Sequence, residues 1–280
     1  MKITGGWLTN PDTQAVCAML NRAGHAAHFV GGCVRNAILG SAVNDLDIAT
    51  DAHPDQVLAL AKAAGLKAVP TGIDHGTITV VSGHIPHEIT TYRQDVATDG
   101  RRATVAFAQD MSEDARRRDF TINALYADAR GQVEDPLGQG LADLQARRLR
   151  FIEDPERRIR EDYLRILRYF RFYAWYGDPM GGVDSAAMAA IADNLDGIAA
   201  LSRERIGAEV IKLLQAPEPT QALAAMRSCG VLALVWPGAT DRAIGPLVMF
   251  EQRWDLTPDA IRRLAALGGQ EDGRALRLSN

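Results

Sequence analysis

Hydrophobic and polar positions in the N-terminal part of the chain alternate between the period of a helix and the period of a strand. Residues 11–24 follow the helical period, and the apolar run His28-Phe29-Val30 after them predicts a strand. Another strand is predicted over 46–50. Helices are predicted over Val34–Leu39 and over Pro54–Ala64, where a proline stands early in the first turn. The pattern therefore predicts strands and helices in alternation.

A second pattern, typical of strands alone, follows these helices. Two β-rich runs, Thr77–Val81 and Ile85–Tyr92, flank a turn at Ser82-Gly83. Residues 94–110 are polar and contain Asp99-Gly100-Arg101-Arg102, which predicts a mobile loop. We expect a small mixed sheet with helices packed on it.

The pattern becomes mostly helical from Ser112 onward. Ser112 is predicted to cap a helix that continues through Arg118 to Ala124. A break follows at Pro136–Gly140, and helices with short connections are expected after Glu161. We place a boundary near residue 150, with mixed α/β structure before it and only helices after it. The predicted fold class is α+β.

Composition excludes several classes of protein. Hydrophobic residues make up 47% of the chain and charged residues 24%, as in an ordinary globular protein. No apolar run approaches the roughly 18 residues that a membrane span needs, and the N-terminus lacks the layout of a secretory signal. The three cysteines are scattered and odd in number, which indicates neither a disulfide framework nor a metal knuckle. We expect a cytoplasmic protein with no membrane contact.

Charge is unevenly distributed along the chain. A net charge of −4 argues against a uniformly basic coat for nucleic acids. Between Arg147 and Arg171, however, nine arginines stand against five carboxylates. A basic stripe on an acidic protein is typical of a confined site for a polyanion.

The first candidate motif is Gly31-Gly32-Cys33-Val34-Arg35, at a predicted junction between a strand and a helix. Paired glycines let the backbone approach a phosphate closely, and free N–H groups at the start of a helix point at it. Arg35 adds a forked donor for phosphate oxygens. A tight turn with a surface arginine explains this motif equally well when it is taken alone.

The second motif is Asp45-Leu46-Asp47, which we expect to open a strand. Alternation along a strand would point both carboxylates to one side, about 7 Å apart. Hard oxygen donors at that spacing can hold Mg²⁺ ions that also bind substrate phosphates. The alternative is two solvated acids in a turn. Glu88, on a predicted neighbouring strand, is either a third carboxylate of this site or an exposed strand residue.

The third motif is Arg117-Arg118-Asp119-Phe120-Thr121-Ile122-Asn123-Ala124-Leu125. Its apolar residues are predicted to anchor in the core. Arg118 would then face a phosphate, while Asp119 and Asn123, one helical turn apart, would face ribose hydroxyls. An exposed, salt-bridged helix end is the alternative.

The fourth motif runs from Glu161 to Arg171 and is predicted to be helical. Arg165, Arg168 and Arg171 spread over a wedge opposite the apolar face, and Asp162 borders that wedge. An aspartate and an arginine side by side match cytosine and adenine, which each present an exocyclic amine next to a ring-nitrogen acceptor. Guanine and uracil would leave a polar group unpaired, at a cost of about 1–3 kcal/mol. An intrahelical Asp162–Arg165 ion pair remains open as well.

Four ordered motifs resemble those of the class II tRNA nucleotidyltransferase and bacterial poly(A) polymerase family. The resemblance covers about residues 26–176 and continues more loosely to the end. The matching segments are Gly31-Gly32-x-Val34-Arg35 with Asp45-x-Asp47, Arg118–Ala124, the hinge-like Asp135–Leu144, and Glu161-Asp162-x-x-Arg165 with Arg168 and Arg171.

The resemblance implies a five-stranded head of the polymerase-β type, an all-α neck, and then a helical body. We assign the head to residues 1–150, the neck with its nucleobase template to 151–215, and a partial body to 216–280. It also implies Mg²⁺-dependent addition of C, C and A to tRNA from CTP and ATP, with no DNA partner. The nucleotide-binding residues carried over are Gly32, Arg35, Arg118, Asp119, Asn123, Asp162, Arg165, Arg168 and Arg171; Asp45 and Asp47 are the catalytic metal ligands.

Two departures from the family pattern affect these expectations. Asn36 stands where family members usually carry aspartate, and we expect this change to tune the site without abolishing it. The chain also ends at Asn280, short of the usual length. We therefore expect the tRNA-binding region to be truncated and unaided affinity for tRNA to be reduced.

Other functions remain as alternatives. Poly(A) polymerases and enzymes that add only CC or only A share every catalytic residue, although the full length of the 94–110 segment favours complete CCA addition. A non-catalytic RNA-binding scaffold is disfavoured by the intact Asp45 and Asp47. A dinucleotide-binding oxidoreductase is excluded because the glycine turn lacks a third spaced glycine and the acidic residue about 20 positions on.

Overall fold

The structure is a computed structural model, and it describes residues 1–99 and 102–269. The chain forms two compact units, Met1–Leu144 and Gln145–Asn280.

The first unit is built on a mixed sheet whose strand order is β3-β4-β5-β2-β1-β8-β9. A separate antiparallel hairpin is formed by β6 and β7. The strands are β1 His28–Val30, β2 Asp47–Thr50, β3 Lys67–Gly72, β4 Thr77–Ser82, β5 Ile85–Thr91, β6 Arg93–Asp99, β7 Arg102–Phe107, β8 Tyr126–Ala127 and β9 Val133–Glu134. The helices of this unit are α1 Gly6–Thr9, α2 Pro11–Arg22, α3 Gly32–Ile38, α4 Pro54–Ala63, α5 Met111–Arg116 and α6 Gly140–Gln145.

The centre of the sheet follows from the alternation seen in the sequence. Along β4, every second side chain is buried. Ile48 on β2 and Ile89 on β5 are paired in register and fully buried, so the two strands share one core. The β2–β5 pair is parallel, whereas the other strand pairs described in this sheet are antiparallel. The predicted α+β class with a mixed sheet and packed helices is confirmed.

The sheet has seven described strands rather than the five that the family resemblance implied. The pattern gave no signal for β3, because most of its side chains are exposed and no alternation marks it. Strands β8 and β9 have only two residues each, too few for any period to be read.

The loop that was predicted over residues 94–110 is contradicted by the structure. Strands β6 and β7 occupy most of this segment and pair antiparallel from Arg93 with Phe107 to Asp99 with Arg102. Residues 100 and 101, which were part of the predicted loop, lie outside the described residues. The overlooked signal is a hairpin signature, since β-branched residues flank an Asp-Gly pair.

The single helix predicted from Ser112 to Ala124 was also wrong. Helix α5 is capped by Asp110, whose carboxylate accepts from the Ser112 amide at 2.8 Å, and it ends at Arg116. Phe120 is extended, and Thr121–Asn123 form a 3₁₀ turn. The Asp119 carboxylate accepts from the Phe120 amide at 2.8 Å, and such a local bond competes with the helical pattern.

The second unit is helical throughout its described part. Among the described residues, no helix is long and apolar enough to cross a membrane. Its helices are α7 Pro155–Glu161, α8 Leu164–Tyr176, α9 Ser185–Ala192, α10 Arg203–Leu214, α11 Thr220–Ser228, α12 Val231–Val235, α13 Ile244–Arg253 and α14 Ala260–Leu267.

A buried ion pair holds three helices of this unit together. Arg263 of α14 is 1% exposed and donates from Nε to the Glu251 carboxylate of α13 at 2.8 Å. Its Nη1 donates to the carbonyls of Leu214 and Ala216, at the end of α10. Carbonyls at the C-terminus of a helix have no partner within the helix, and the arginine donates to one such carbonyl, that of Leu214, and to that of Ala216 just beyond it.

Replacing Arg263 with alanine is expected to lower the free energy of unfolding by about 3–5 kcal/mol, because Glu251 would keep a buried charge without its partner. Arg262 is the matched control. It contacts the same carboxylate but is 40% exposed, so its replacement should cost less than about 1 kcal/mol. Urea denaturation of both variants measures the difference, and equal losses would contradict the assignment.

Candidate functional site

The predicted glycine turn lies between β1 and α3. Gly31 has φ of 70°, a conformation that favours glycine, and its amide donates to the Leu125 carbonyl at 3.1 Å. A Cβ placed on Gly31 would lie 3.4 Å from Nη1 of Arg118 and 3.6 Å from the Asn123 carbonyl oxygen. The turn therefore brings the first motif of the sequence against the third.

Replacing Gly31 with alanine should destabilise the fold because of its positive φ, and it should weaken binding of a nucleoside triphosphate by about tenfold because the added methyl would lie in contact with the Arg118 guanidinium, where the phosphate is proposed to bind. Gly40 is the matched control, because it has φ of 68° but open space around its Cβ position. Gly40→Ala should show the backbone cost alone. Calorimetric CTP titration of both variants tests this, and equal affinities would argue against a role beyond the turn.

A chain of hydrogen bonds connects the predicted phosphate and ribose residues. Arg35 is 6% exposed, and its Nη1 donates to the side-chain oxygen of Asn123. Asn123 in turn donates to Asp119 at 2.9 Å. The link from Asp119 to Asn123 was predicted, but it runs through an extended residue and a 3₁₀ turn instead of a helix. Asn123 and Asp119 are thereby fixed relative to Arg35.

Asn36 lies directly behind Arg35. Its side-chain oxygen accepts from Nε of Arg35 at 3.2 Å and from Nη2 at 2.9 Å, and its amide nitrogen donates to the Ala42 carbonyl. The asparagine thus contacts the arginine and not the turn itself.

Arg118 is held by two residues that the sequence pattern did not single out. Its Nη2 donates to the Asp114 carboxylate at 2.9 Å, and its Nε donates to the Tyr126 hydroxyl at 3.2 Å. Tyr126 also donates to Asp114 at 2.7 Å, and Arg117 donates to the other carboxylate oxygen at 2.8 Å. Burial alone would raise the pKa of Asp114, but Arg118 and Arg117 outweigh it and hold that pKa well below the usual range.

The acidic motif lies at the edge where β2 begins. Asp47 is the first residue of β2 and is half-buried, while Asp45 precedes the strand and is exposed. Glu88 on β5 is exposed and is the parallel register partner of Asp47. Burial, followed by the charges of Glu88 and Asp45, raises the pKa of Asp47 to about 6, and Arg118 opposes this shift. A cation bound between these carboxylates would reduce the repulsion between their negative charges.

These oxygen donors fit a hard divalent cation such as Mg²⁺. Among the residues that the structure describes, however, no group of three or more metal-binding side chains is assembled.

In the second unit, the segment from Glu161 to Arg171 was predicted to be one continuous helix, but the structure divides it between α7 and α8. Asp162 is not on a helix with Arg165, because it caps the end of α7 with extended backbone before α8 begins at Leu164. One Asp162 oxygen accepts from the Leu164 amide at 3.1 Å, and the other pairs with Arg205 of α10 at 2.7 Å. Arg165 donates to Glu161 at 2.6 Å.

The other predicted arginines of α8 surround an aromatic ring. The guanidinium carbons of Arg168 and Arg171 lie 5.3 Å and 4.5 Å from the centre of the Phe172 ring. Arg171 also forms a 2.7 Å ion pair with Glu209 of α10. Sequence reasoning missed Arg205 and Glu209 because they lie far along the chain from α8; the i,i+4 spacing of Glu161 and Arg165 was the one local signal available.

Two family models match the chain. The first, described as the poly A polymerase head domain, matches residues 27–150. The second, described as the probable RNA and SrmB-binding site of polymerase A, matches residues 183–242. The head match contains the first three motifs, whereas Asp162 and Arg165 lie between the two matched segments.

Curated relatives agree with these models. A CCA-adding enzyme of Streptococcus pyogenes is 41% identical over 216 residues, which is 76% of this chain and 52% of that protein. The human mitochondrial CCA tRNA nucleotidyltransferase 1 is 43% identical over 191 residues, covering 68% of this chain and 44% of that protein. The chain belongs to the tRNA nucleotidyltransferase and poly(A) polymerase family. It spans about half the length of the curated relatives it matches.

Solved structures of the family have the same fold. The CCA-adding enzyme of Bacillus stearothermophilus in complex with CTP superimposes with a TM-score of 0.76 at 31% identity, covering 96% of this chain and 66% of that one. The Thermotoga maritima CCA-adding enzyme complexed with tRNA has a TM-score of 0.71 at 20% identity, covering 94% and 63%. Family membership and the nucleotidyltransferase fold, both expected from four short motifs, are confirmed.

Proposed function

We propose that the chain adds C, C and A to the 3′ end of tRNA, using CTP and ATP without a nucleic-acid template and releasing pyrophosphate. The observation that carries the proposal is the position of Arg118, which lies beside the glycine turn at Gly31 and whose charge opposes the rise in the pKa of Asp47. A phosphate-binding cation and a metal-binding carboxylate therefore act on the same place. Relatives about 40% identical that are named CCA-adding enzymes support the choice of product.

We assign Mg²⁺ to Asp45 and Asp47. When bound, the ion supplies charge neutralisation for the leaving pyrophosphate and activation of the attacking 3′ hydroxyl. The choice of Mg²⁺ among divalent cations rests on the hard oxygen donors of these two residues.

The remaining residues of the first unit bind and orient the nucleotide. The amides after Gly31, together with Arg118, receive the triphosphate in this proposal. The Asp119 carboxylate accepts from the ribose hydroxyls, and the side-chain amide of Asn123 donates to them. Arg35 fixes Asn123 through its hydrogen bond and adds positive charge near the phosphates. Transfer then consists of attack by the RNA 3′ hydroxyl on the α-phosphate and loss of pyrophosphate.

Asp162 and Arg165 select the base in this proposal. Each carboxylate oxygen has two acceptor positions, so Asp162 can accept from an exocyclic amine while it remains bonded to Arg205 and Leu164. Arg165 supplies the donor for the ring nitrogen. Cytosine and adenine satisfy both groups, whereas uracil and guanine place a carbonyl oxygen against the carboxylate.

Poly(A) polymerase activity is the second candidate, favoured by the description of the head model that the chain matches. Extension assays decide between the two. The substrates are a tRNA transcript lacking CCA, one lacking only the final A, and a generic oligoribonucleotide, each with CTP, ATP or both. We expect ordered addition to the two tRNAs only, and efficient tailing of the generic RNA with ATP alone would overturn CCA addition.

A further inference from the structure

The Asp114 carboxylate lies among the buried groups of the first unit to which the proposed reaction assigns no part. It is 1% exposed and accepts from three different side chains, those of Arg117, Arg118 and Tyr126. Burying a carboxylate costs free energy because the group loses its water. The three charge-assisted hydrogen bonds compensate this cost, and they hold the three donor side chains in one geometry.

Arg118 is the partner that faces the nucleotide site. Two of its three guanidinium nitrogens are engaged, Nη2 by Asp114 and Nε by Tyr126. The third, Nη1, is the nitrogen that lies 3.4 Å from the Cβ position of Gly31, and no acceptor for it is found among the described residues. The planar guanidinium fork of Arg118 is thus anchored through Nε and Nη2, and it presents Nη1 as a donor at the glycine turn.

Tyr126 completes the anchor from a different element. It is fully buried on β8, and its hydroxyl bonds both Asp114 and Arg118. The Arg118 guanidinium also lies over the Tyr126 ring, 5.4 Å from its centre. The arginine is therefore held by a carboxylate from α5 and by a phenol from the sheet, which fixes both its direction and its plane.

We propose that Asp114, with Tyr126, is a positioning residue that aims Nη1 of Arg118 at the triphosphate of the incoming nucleotide. The inference rests on the proposed function, since it assigns the ligand of Arg118 to a nucleoside triphosphate. Asp114 itself touches no substrate. Its effect on the nucleotide passes through Arg118.

Positioning and simple charge balance make opposite forecasts for Asp114→Asn. This variant removes one negative charge near the site, so an electrostatic role alone would tighten binding of a triphosphate. A positioning role predicts that CTP binding, measured calorimetrically with Mg²⁺ on the full chain, weakens about tenfold because the fork loses its charged anchor. Tighter binding would overturn the proposal.

A double-variant cycle separates positioning from general structural damage. In an Arg118→Ala background, Asp114→Asn should change CTP affinity by less than about twofold, because no fork remains to be aimed. An equal loss in both backgrounds would overturn the proposal. If Asp114→Asn fails to fold, Tyr126→Phe keeps the ring, removes only the hydroxyl, and is put through the same cycle with the same forecast.

The control is Asp51→Asn. Asp51 is another carboxylate of the same unit, bonded to the Ala26 amide at 2.7 Å and to His25, and it should leave CTP affinity unchanged. Failure of the proposed function has a different signature. An unmodified chain that binds CTP but leaves RNA unextended contradicts the reaction and not the anchor, while an unmodified chain that binds no triphosphate overturns both before any variant is made.

Discussion

Replacing Asp47 with asparagine is expected to lower nucleotide transfer by about 10³-fold or more. The amide has nearly the shape of the carboxylate but removes a charged ligand for the metal, and such a loss is worth several kcal/mol in the transition state. Because Asp47 faces Glu88 in register, removing its charge also relieves repulsion. We therefore expect activity to fall while the resistance to urea stays equal or rises.

Two measurements check this expectation. Single-turnover extension of tRNA gives the transfer rate, and urea denaturation gives the stability of the same preparation. Glu88→Gln is the companion variant, because it removes the repulsion between Asp47 and Glu88 by neutralising the exposed residue of the pair. A loss as large as that of Asp47→Asn would make Glu88 a third ligand, and a small loss would leave it outside the site. Unchanged turnover in Asp47→Asn would remove the argument that Asp47 holds a catalytic metal ion.

Replacing Asp162 with alanine is expected to reduce the preference for CTP and ATP over UTP and GTP by about tenfold to a hundredfold. A carboxylate facing a carbonyl oxygen is an unpaired polar contact worth about 1–3 kcal/mol, and alanine abolishes that penalty for the wrong bases. The transfer rate for CTP should fall as well, but the ratio is the diagnostic quantity. It is measured as relative kcat/KM for the four nucleotides on one tRNA.

Glu156 provides the control for this variant. It lies on α7 close to Asp162 in the chain, and its ion pair with Arg160 is exposed. Glu156→Ala should leave the nucleotide preference unchanged, because exposed pairs contribute little. If Asp162→Ala keeps the full preference, then base selection does not depend on Asp162.

The local part of this structure was predictable from the sequence. Pro54 at the start of α4 and the alternation along β4 are short-range signals, and both elements appear where the pattern places them. The contacts that assemble the site are long-range. Arg35 meets Asn123 across 88 positions, and Asp162 meets Arg205 across 43. No period in a sequence encodes such pairs, because they depend on the direction in which packed elements run.

Helix breaks were the other source of error. The segment after the end of α5 and the junction between α7 and α8 each contain an aspartate whose carboxylate accepts from a nearby backbone amide, Asp119 in the first and Asp162 in the second. Such bonds compete with the helix over one or two residues, and a periodicity read over a longer window averages them away. Both residues belong to the candidate site, so the errors fell where the chain departs from regular structure.

The parallel pairing of β2 with β5 ties the chemistry of this protein to its folding. Asp47 faces Glu88 in the same register that places the fully buried Ile48 beside Ile89. A slip of one residue would separate the acids, and it would also turn an isoleucine toward water. The register that buries the two isoleucines therefore also fixes the spacing of the two carboxylates. A chain that folds with these isoleucines in the core has its acidic residues placed for the reaction.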